Sequence, residues 1–516
     1  MRIFDTYVQK LKYKVLTELA RQTWVGNDAF SVFNDIANQV VKKGEPTMSC
    51  CIYKDRAIVA ERIRIALGGK KEDHNVIQVI DIACDECPVA GHVVTDLCRG
   101  CVAHACVDAC KLGAITVDSH QKAEIDKSKC VECGKCAKSC PYSAIANFKR
   151  PCERACKVDA ISMAPDGVAQ IDSEKCIECG ACVYKCPFGA TLDVSSITDI
   201  IKTIVDSDNN KNYHVHAIVA PAIAGQFQYA KAGQLISAIR ELGFYAVEEV
   251  ALGADIVAYK EAQELQEKGF LTSSCCPAFV KYIKMKFPQL AEHISHNLSP
   301  MAETGKLIKE QDPDAKIVFI GPCTAKKGEV RKPEVHQYVD YVMTFEELQA
   351  MIDSKDIAVD QLPETELDTA TYYGRVFART GGLSEAVTEA VREQKAAAEA
   401  AKADAPDGAG TSGAVASGEA GTNSGKPASG DGACDGDSAD SKPFVFDPIV
   451  CDGIDSCKTA LLRASKGLLP NNFIEGMVCT DGCIGGAACL SHGNADKRAI
   501  DNYGKKATHK EIREVL

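Results

Sequence analysis

Twenty-seven of the 516 residues are cysteine, and sixteen of them fall between Cys84 and Cys186. Six recur at a constant offset of 46: Cys106, Cys110, Cys130, Cys133, Cys136 and Cys140 become Cys152, Cys156, Cys176, Cys179, Cys182 and Cys186. The flanking text repeats with them, ACKLGAITV as ACKVDAISM and KCVECGKCAKSCPYSAI as KCIECGACVYKCPFGAT. Thiols at this density either pair as disulfides or hold metal. The opening MRIFDTYVQKLKYK is charged and lacks the apolar core of a secretory signal, so a reducing, cytoplasmic setting is expected and metal is the reading. Residues 84–186 carry too little aliphatic material to build a core, so metal must hold them together.

Each copy contains C-x2-C-x2-C-x3-C-P, which resembles the run that holds cubane clusters in bacterial ferredoxins. There, three close thiolates grip one cluster and the fourth, beside proline, reaches the partner cluster. A two-cluster module needs a second half. In the first copy this is Cys98, Cys101, Cys106 and Cys110. The second copy has Cys152 and Cys156 but no C-x2-C before them, and Cys84 and Cys87 supply it. One ferredoxin-like module (about 98–146) is thus expected inside another, split between 84–90 and 150–192. The ligand sets become Cys98, Cys101, Cys106 with Cys140; Cys130, Cys133, Cys136 with Cys110; Cys84, Cys87, Cys152 with Cys186; and Cys176, Cys179, Cys182 with Cys156. Four 4Fe-4S clusters account for all sixteen. Zinc sites also use C-x2-C pairs, but the run ending in Cys-Pro has the ferredoxin form. No C-x-x-C-H occurs, which excludes covalent haem.

Three further motifs lie downstream: TSSCCPAF (272–279), GPCTAKKGE (321–329) and EGMVCTDGCIGGAAC (475–489). With them the chain resembles the [FeFe]-hydrogenases from about residue 215 to 495. The resemblance implies that Cys276, Cys323, Cys479 and Cys483 hold a cubane. It makes Cys483 the bridge to a diiron unit carrying CO, cyanide and an azadithiolate, the whole forming an H-cluster. Pro277 after Cys276 fits the first turn of a helix, whose positive end favours thiolate. Lys326 matches a lysine that contacts a cyanide, and a buried ammonium needs such an anionic partner. Met477 matches a methionine beside the diiron unit.

The same resemblance implies a proton path. Cys275 matches a proton-shuttling thiol, whose pKa its surroundings can tune near neutrality. In GADIVAYKEAQEL, Glu261 and Glu264 match two relay carboxylates, and their i,i+3 spacing puts them on one helix face. Ser295 matches the hydroxyl between them. The chain departs from the family pattern at Gly321, Met301, Thr480-Asp481 and the shortened GGAAC. Cys451, Cys457 and Cys489 are additional; they read as unliganded thiols, with a further site or a redox disulfide as alternatives. Cys50-Cys51 and Cys434 also read as free or structural thiols.

The elements that must position these residues are legible in outline. LKYKVLTELARQTW and AIVAERIRIALGG have helical periodicity, HAIVAPAI and AKIVFI read as strands, and AGQLISAIRELG and TFEELQAMID read as helices. The expected architecture is an α+β and α/β multidomain chain. It comprises a helical region (1–80), nested ferredoxin-like modules (81–195) and an α/β catalytic domain in two parts (196–394 and 443–516). An Ala/Gly/Ser/Asp-rich disordered linker (395–442) separates the two parts. A net charge of −12 argues against nucleic acid, and no apolar run is long enough to span a membrane.

These readings imply reversible conversion of two protons and two electrons into H2. The expected partners are ferredoxin or a similar soluble carrier, and hydrogenase maturation proteins. A hydrogen or redox sensor on the same centre, and a non-catalytic iron–sulfur assembly protein lacking the diiron unit, are the alternatives.

Overall fold

The 46-residue repeat returns in three dimensions. The computed structural model describes residues 4–27, 31–44, 48–70, 73–84, 87, 90–403 and 444–516. In it the antiparallel hairpin Ile115–Val117 with Ala123–Ile125 recurs as Ile161–Met163 with Ala169–Ile171. The short helix Lys135–Ser139 recurs as Ala181–Lys185. A glycine at positive φ precedes each, Gly134 at 72° and Gly180 at 73°, a conformation that penalises a Cβ.

Two more strand pairs close the nesting. Gly91–Val94 pairs with Ile145–Phe148 around the inner module, and Ile77–Val79 pairs with Thr191–Asp193 around the outer one. The outer module therefore begins at a strand inside the 1–80 stretch expected to be helical, upstream of the expected boundary at 81.

The rest of that stretch is helical, as its periodicity predicts: Tyr7–Trp24, Phe33–Val40 and Ile52–Ala66. A reciprocal cap starts the first helix. Gln9 N–H donates to Thr6 Oγ1 and Thr6 N–H donates to Gln9 Oε1, both at 3.1 Å. Leu16, Leu19, Val59 and Ile63 share one apolar core with Ile201, Leu348 and Met351, so these helices are built onto the downstream domain.

That domain rests on two parallel sheets. The larger runs Ala246–Glu249, Val215–Val219, Lys316–Gly321, Tyr341–Thr344 in spatial order, and the smaller runs Leu271–Thr272, Phe473–Met477, Pro448–Asp452. The runs VHAIV and KIVFIG are apolar on both faces because helices cover a parallel sheet on both sides.

The stretch expected to begin the linker differs. Helix Gly382–Ala403 extends through Lys395–Ala403, since Ala, Glu and Lys favour a helix even without apolar groups to bury. The remainder of the expected linker, with Cys434, lies outside the described residues.

A buried charge cluster joins the three regions. Lys12 Nζ lies 2.5 Å from Asp193 Oδ1 and 2.7 Å from Glu346 Oε2. Lys327 Nζ reaches Asp193 Oδ2 at 2.7 Å, Glu347 Oε1 at 2.8 Å and the Val194 carbonyl at 2.7 Å. Burial alone would push the Asp193 carboxyl up; Lys12 and Lys327 reverse this and hold it below the usual carboxylate range. Removing the shared carboxylate leaves two buried ammoniums short of a partner. Asp193→Ala is expected to cost about 3–5 kcal/mol in denaturant unfolding; a loss below about 1 kcal/mol would contradict this role.

Candidate active site

Three of the four downstream motif cysteines leave the C-terminal ends of parallel strands, where ligand sites of α/β sheets gather. Cys276 follows Leu271–Thr272 and is the N-cap of helix Pro277–Lys286, with proline in its first turn as the sequence predicts. Cys323 follows Lys316–Gly321, and Cys479 follows Phe473–Met477. Cys483 starts the 3-10 turn Cys483–Gly485.

These loops bring the four thiols into one neighbourhood. Burial pushes Cys323 up to about 11 and Cys483 up to about 12, and adjacent cysteines add to both. Cys479 is pushed well up by burial, then by Cys323, Cys276, Cys179 and Cys483. All four are half-buried. A cavity of about 990 Å³ lies between Cys479 and the Cys156, Cys176, Cys179, Cys182 group. Four thiols in such a place cannot all ionise unaided, whereas a cationic iron–sulfur core would compensate the charge.

The upstream cysteines also stand in groups. Cys98, Cys101, Cys106 and Cys140 line one small cavity. Burial raises Cys136, with Cys130 and Cys133 adding, and Cys110 packs in the same small cluster. Burial pushes Cys152 up to about 11, with Cys186 and Cys84 beside it, and Cys87 feels the same two neighbours. Cys182 is raised by burial and by Cys179, Cys176 and Cys156. The N–H groups of Ala114, Ala144, Ala160 and Ala190 donate to the sulfurs of Cys110, Cys140, Cys156 and Cys186 at 3.2–3.4 Å, bonds that favour the charged form.

On the other side of the site runs a line of polar groups. Glu261, on helix Val250–Lys268, is fully buried, and burial pushes its carboxyl up to about 7. Its Oε1 accepts from the N–H and Oγ of Ser274 at 3.3 and 3.4 Å, while Oε2 has no partner. One turn on, Glu264 meets Lys268 at 2.7 Å, His296 Nδ1 at 2.6 Å and Asn297 Nδ2 at 2.9 Å. Burial would raise it, but Lys268 and His296 hold it below its usual value. Ser295 Oγ donates to Glu264 Oε2 at 3.3 Å and also bears on Glu261, so it stands between the carboxylates as expected.

Cys275 is buried, but its thiol is not tuned toward neutrality. Burial pushes it well up, and Glu261, Cys276 and Cys483 push it further. It is a protonated thiol at neutral pH.

Lys326 is buried and does have a protein anion nearby: Glu329 Oε2 lies 2.6 Å from Nζ. Burial would lower the ammonium's pKa, but Glu329 holds it above its ordinary value, and no second acceptor meets Nζ. This leaves an ammonium with unspent donors beside the thiols, a fit for an anionic ligand of a bound metal group. Met477 is buried in the apolar cluster that also contains Cys275.

Sequence reasoning missed Ser274 and Glu475. The hydroxyl immediately before the paired cysteines was the available signal for Ser274. Glu475 is fully buried, accepts from Gly381 N, Ser384 N and Ser384 Oγ, and adds negative charge at Cys275. Among the departures, Gly321 makes room for an aromatic ring: a Cβ there would meet Phe319 at 2.6 Å. Cys451 and Cys457 are fully buried and adjacent, and Cys457 Sγ donates to the Met477 carbonyl at 3.6 Å. Cys489 Sγ donates to the Ile484 carbonyl at 3.2 Å. Cys50 and Cys51 are exposed, and Cys50 Sγ lies 3.9 Å from Cys51 Sγ.

Comparison with known proteins agrees with this geometry. The family described as "Iron only hydrogenase large subunit, C-terminal domain" matches residues 213–487, just over half of the chain. The chain belongs to the iron-only hydrogenase family. A 4Fe-4S dicluster domain matches 97–144 and 150–190, the two repeats, so iron–sulfur clusters are the cofactor class of this hydrogenase-family protein. Iron hydrogenase 1 of Clostridium pasteurianum is 30% identical over 54% of this chain and 52% of its own length. The periplasmic [Fe] hydrogenase large subunit of Nitratidesulfovibrio vulgaris is 29% identical over 49% and 61%. The cytosolic Fe-S cluster assembly factor NAR1 of Kluyveromyces lactis is 37% identical over 18% of this chain and 20% of its own. The chain thus spans about half to three fifths of the hydrogenase relatives it matches. The solved [FeFe]-hydrogenase HydA1 of Chlamydomonas reinhardtii is similar at 20% identity and a TM-score of 0.45, covering 62% of this chain and 92% of that one. Among the described residues no helix is long and apolar enough to cross a membrane.

The raised Glu261 carboxyl has a consequence for stability. Its folded value of about 7 lies above the unfolded one, so the folded state binds more protons between the two and loses stability as pH rises toward 7. From pH 5.5 to 8 this hydrogenase-family protein should lose about 2 kcal/mol relative to Glu261→Gln. Thermal midpoints of both proteins across that range check the sign; parallel curves would refute it.

Proposed function

We propose that this chain interconverts H2 with two protons and two electrons, taking electrons through its 4Fe-4S clusters from ferredoxin or a similar soluble carrier. Cys276, Cys323, Cys479 and Cys483 would hold the catalytic cubane, with Cys483 bridging to a diiron unit that maturation proteins install. When bound, that unit supplies the metal and the basic amine at which the H–H bond is made or broken. Every other task falls to the polypeptide. Glu264, at the surface end, exchanges protons with solvent and is held anionic by Lys268 and His296. Ser295 passes the proton inward to Glu261, which can be charged or neutral near pH 7 and therefore releases it as readily as it accepts it. Ser274 orients Glu261 toward the Cys275 thiol. Lys326 directs its free N–H donors at the anionic side of the group, and Met477 keeps that wall dry.

The observation that carries this reading is the buried line from Glu264 to Cys275, which ends beside the cysteine cluster and which cluster binding alone does not require. A second reading, an iron–sulfur assembly factor, is favoured by the NAR1 likeness of 37% over 95 residues. It calls for the thiols but not for the proton route.

Hydrogen evolution from reduced viologen separates the two. The matured parent should turn over, Glu261→Gln and Cys275→Ala should each lose about a hundredfold or more, and both should keep the parent's iron content. A parent without turnover, or variants with parental rates, would exclude the proposed route.

A further inference from the structure

We propose that His214, His216 and Asp312 form a site for a divalent d-block cation, zinc being the best match. It lies at the N-terminal edge of the four-stranded sheet, opposite the edge from which Cys323 emerges. Lys316–Gly321 spans about 20 Å, so this location is separate from the cysteine cluster. His214 precedes the strand Val215–Val219 and His216 is its second residue; Asp312 caps helix Pro300–Gln311 just before Lys316–Gly321.

One nitrogen or carboxylate oxygen from each of the three residues lies within 4.8 Å of the others. These are borderline nitrogen and hard oxygen donors, a combination typical of zinc.

The second observation is an orphan. His216 is only 7% exposed, and its Nε2 has no hydrogen-bond partner. The other ring nitrogen, Nδ1, lies 2.8 Å from Glu248 Oε1. A carboxylate only accepts, so Nδ1 carries the proton, and whenever the ring is neutral Nε2 presents a lone pair. That lone pair faces Asp312 Oδ2 at 3.9 Å, too far for a hydrogen bond. Ligand atoms on a tetrahedral metal, each about 2.0–2.2 Å from it, stand about 3.3–3.6 Å apart, a small inward shift from the distance seen here. Glu248 behind His216 makes the carboxylate–histidine arrangement that orients a metal-binding imidazole, and its own Oε2 is buried without a partner. His214 is held by stacking on Tyr245, with ring centroids 3.8 Å apart, and its Nδ1 lies 2.7 Å from Asp312 Oδ2. An entering cation would replace the proton shared there, which leaves to solvent.

The full chain with its iron–sulfur clusters in place, dialysed against zinc chloride and then against zinc-free buffer, provides the test by elemental analysis. One zinc per chain is expected, absent from His216→Ala and Asp312→Asn at unchanged iron content. Should either variant lose iron through misfolding, His214→Ala, whose ring is partly exposed, must show the same loss of zinc. Zinc should also raise the thermal midpoint of the parent but not of His214→Ala. No retained zinc in the parent, or zinc retained in a variant with intact clusters, overturns the proposal.

Discussion

Sulfur anions gathered away from water repel one another, and this chain gathers them repeatedly. In the inner ferredoxin-like module the buried apolar residues are few and mostly small: Ala114, Ile115, Ala123, Ala144 and Ile145 stand with Cys106 and Cys136. Such a cluster offsets little of the entropy of ordering its loops. The positive charge of iron turns mutual repulsion into binding, so cluster insertion and folding are one process here. Backbone N–H donors to four sulfurs and the Arg150 guanidinium, 3.7 Å from Cys84 Sγ, contribute in the same direction.

The downstream domain meets the same constraint with a sheet that orders itself. Its parallel strands are largely buried and present their loops at one edge, where three of the thiols stand. Docking completes the assembly. Gly180 approaches Thr324 and Ala487 so closely that a Cβ would lie 2.6 Å from Thr324 Oγ1, and Thr324 Oγ1 donates to the Glu178 carbonyl at 2.7 Å. This contact sets Cys179 beside Cys276, which adds to the raising of the Cys179 thiol by burial. The buried pairing of Lys12 and Lys327 with Asp193 pins the far side of the same interface.

Much of this was legible because it repeats or is local. The offset of 46 carried over to hairpins, helices and positive-φ glycines, and the missing C-x2-C pair pointed to a nesting that two strand pairs then close. The i,i+3 spacing of Glu261 and Glu264 foretold a shared face, and Pro277 a helix start. What stayed hidden depends on long-range packing. Asp193 meets Lys12 across 181 positions and Lys327 across 134, and no pattern marks such partners. Glu329, only three residues from Lys326, was within reach but had no signal of being buried. The thiol of Cys275 was misjudged because its environment is set by Glu261, Cys276 and Cys483 together. The start of the linker was misplaced because small residues were read as disordered when they are also good helix formers.

Buried Lys326, paired with Glu329 and close to Cys323 and Cys275, is the proposed contact for an anionic metal group. Infrared spectra of the matured parent and of Lys326→Met test it most directly. The account predicts bands of metal-bound CO and cyanide in the parent, with the cyanide bands displaced in the variant. Iron–sulfur protein without such bands, or cyanide bands indifferent to Lys326, would contradict it.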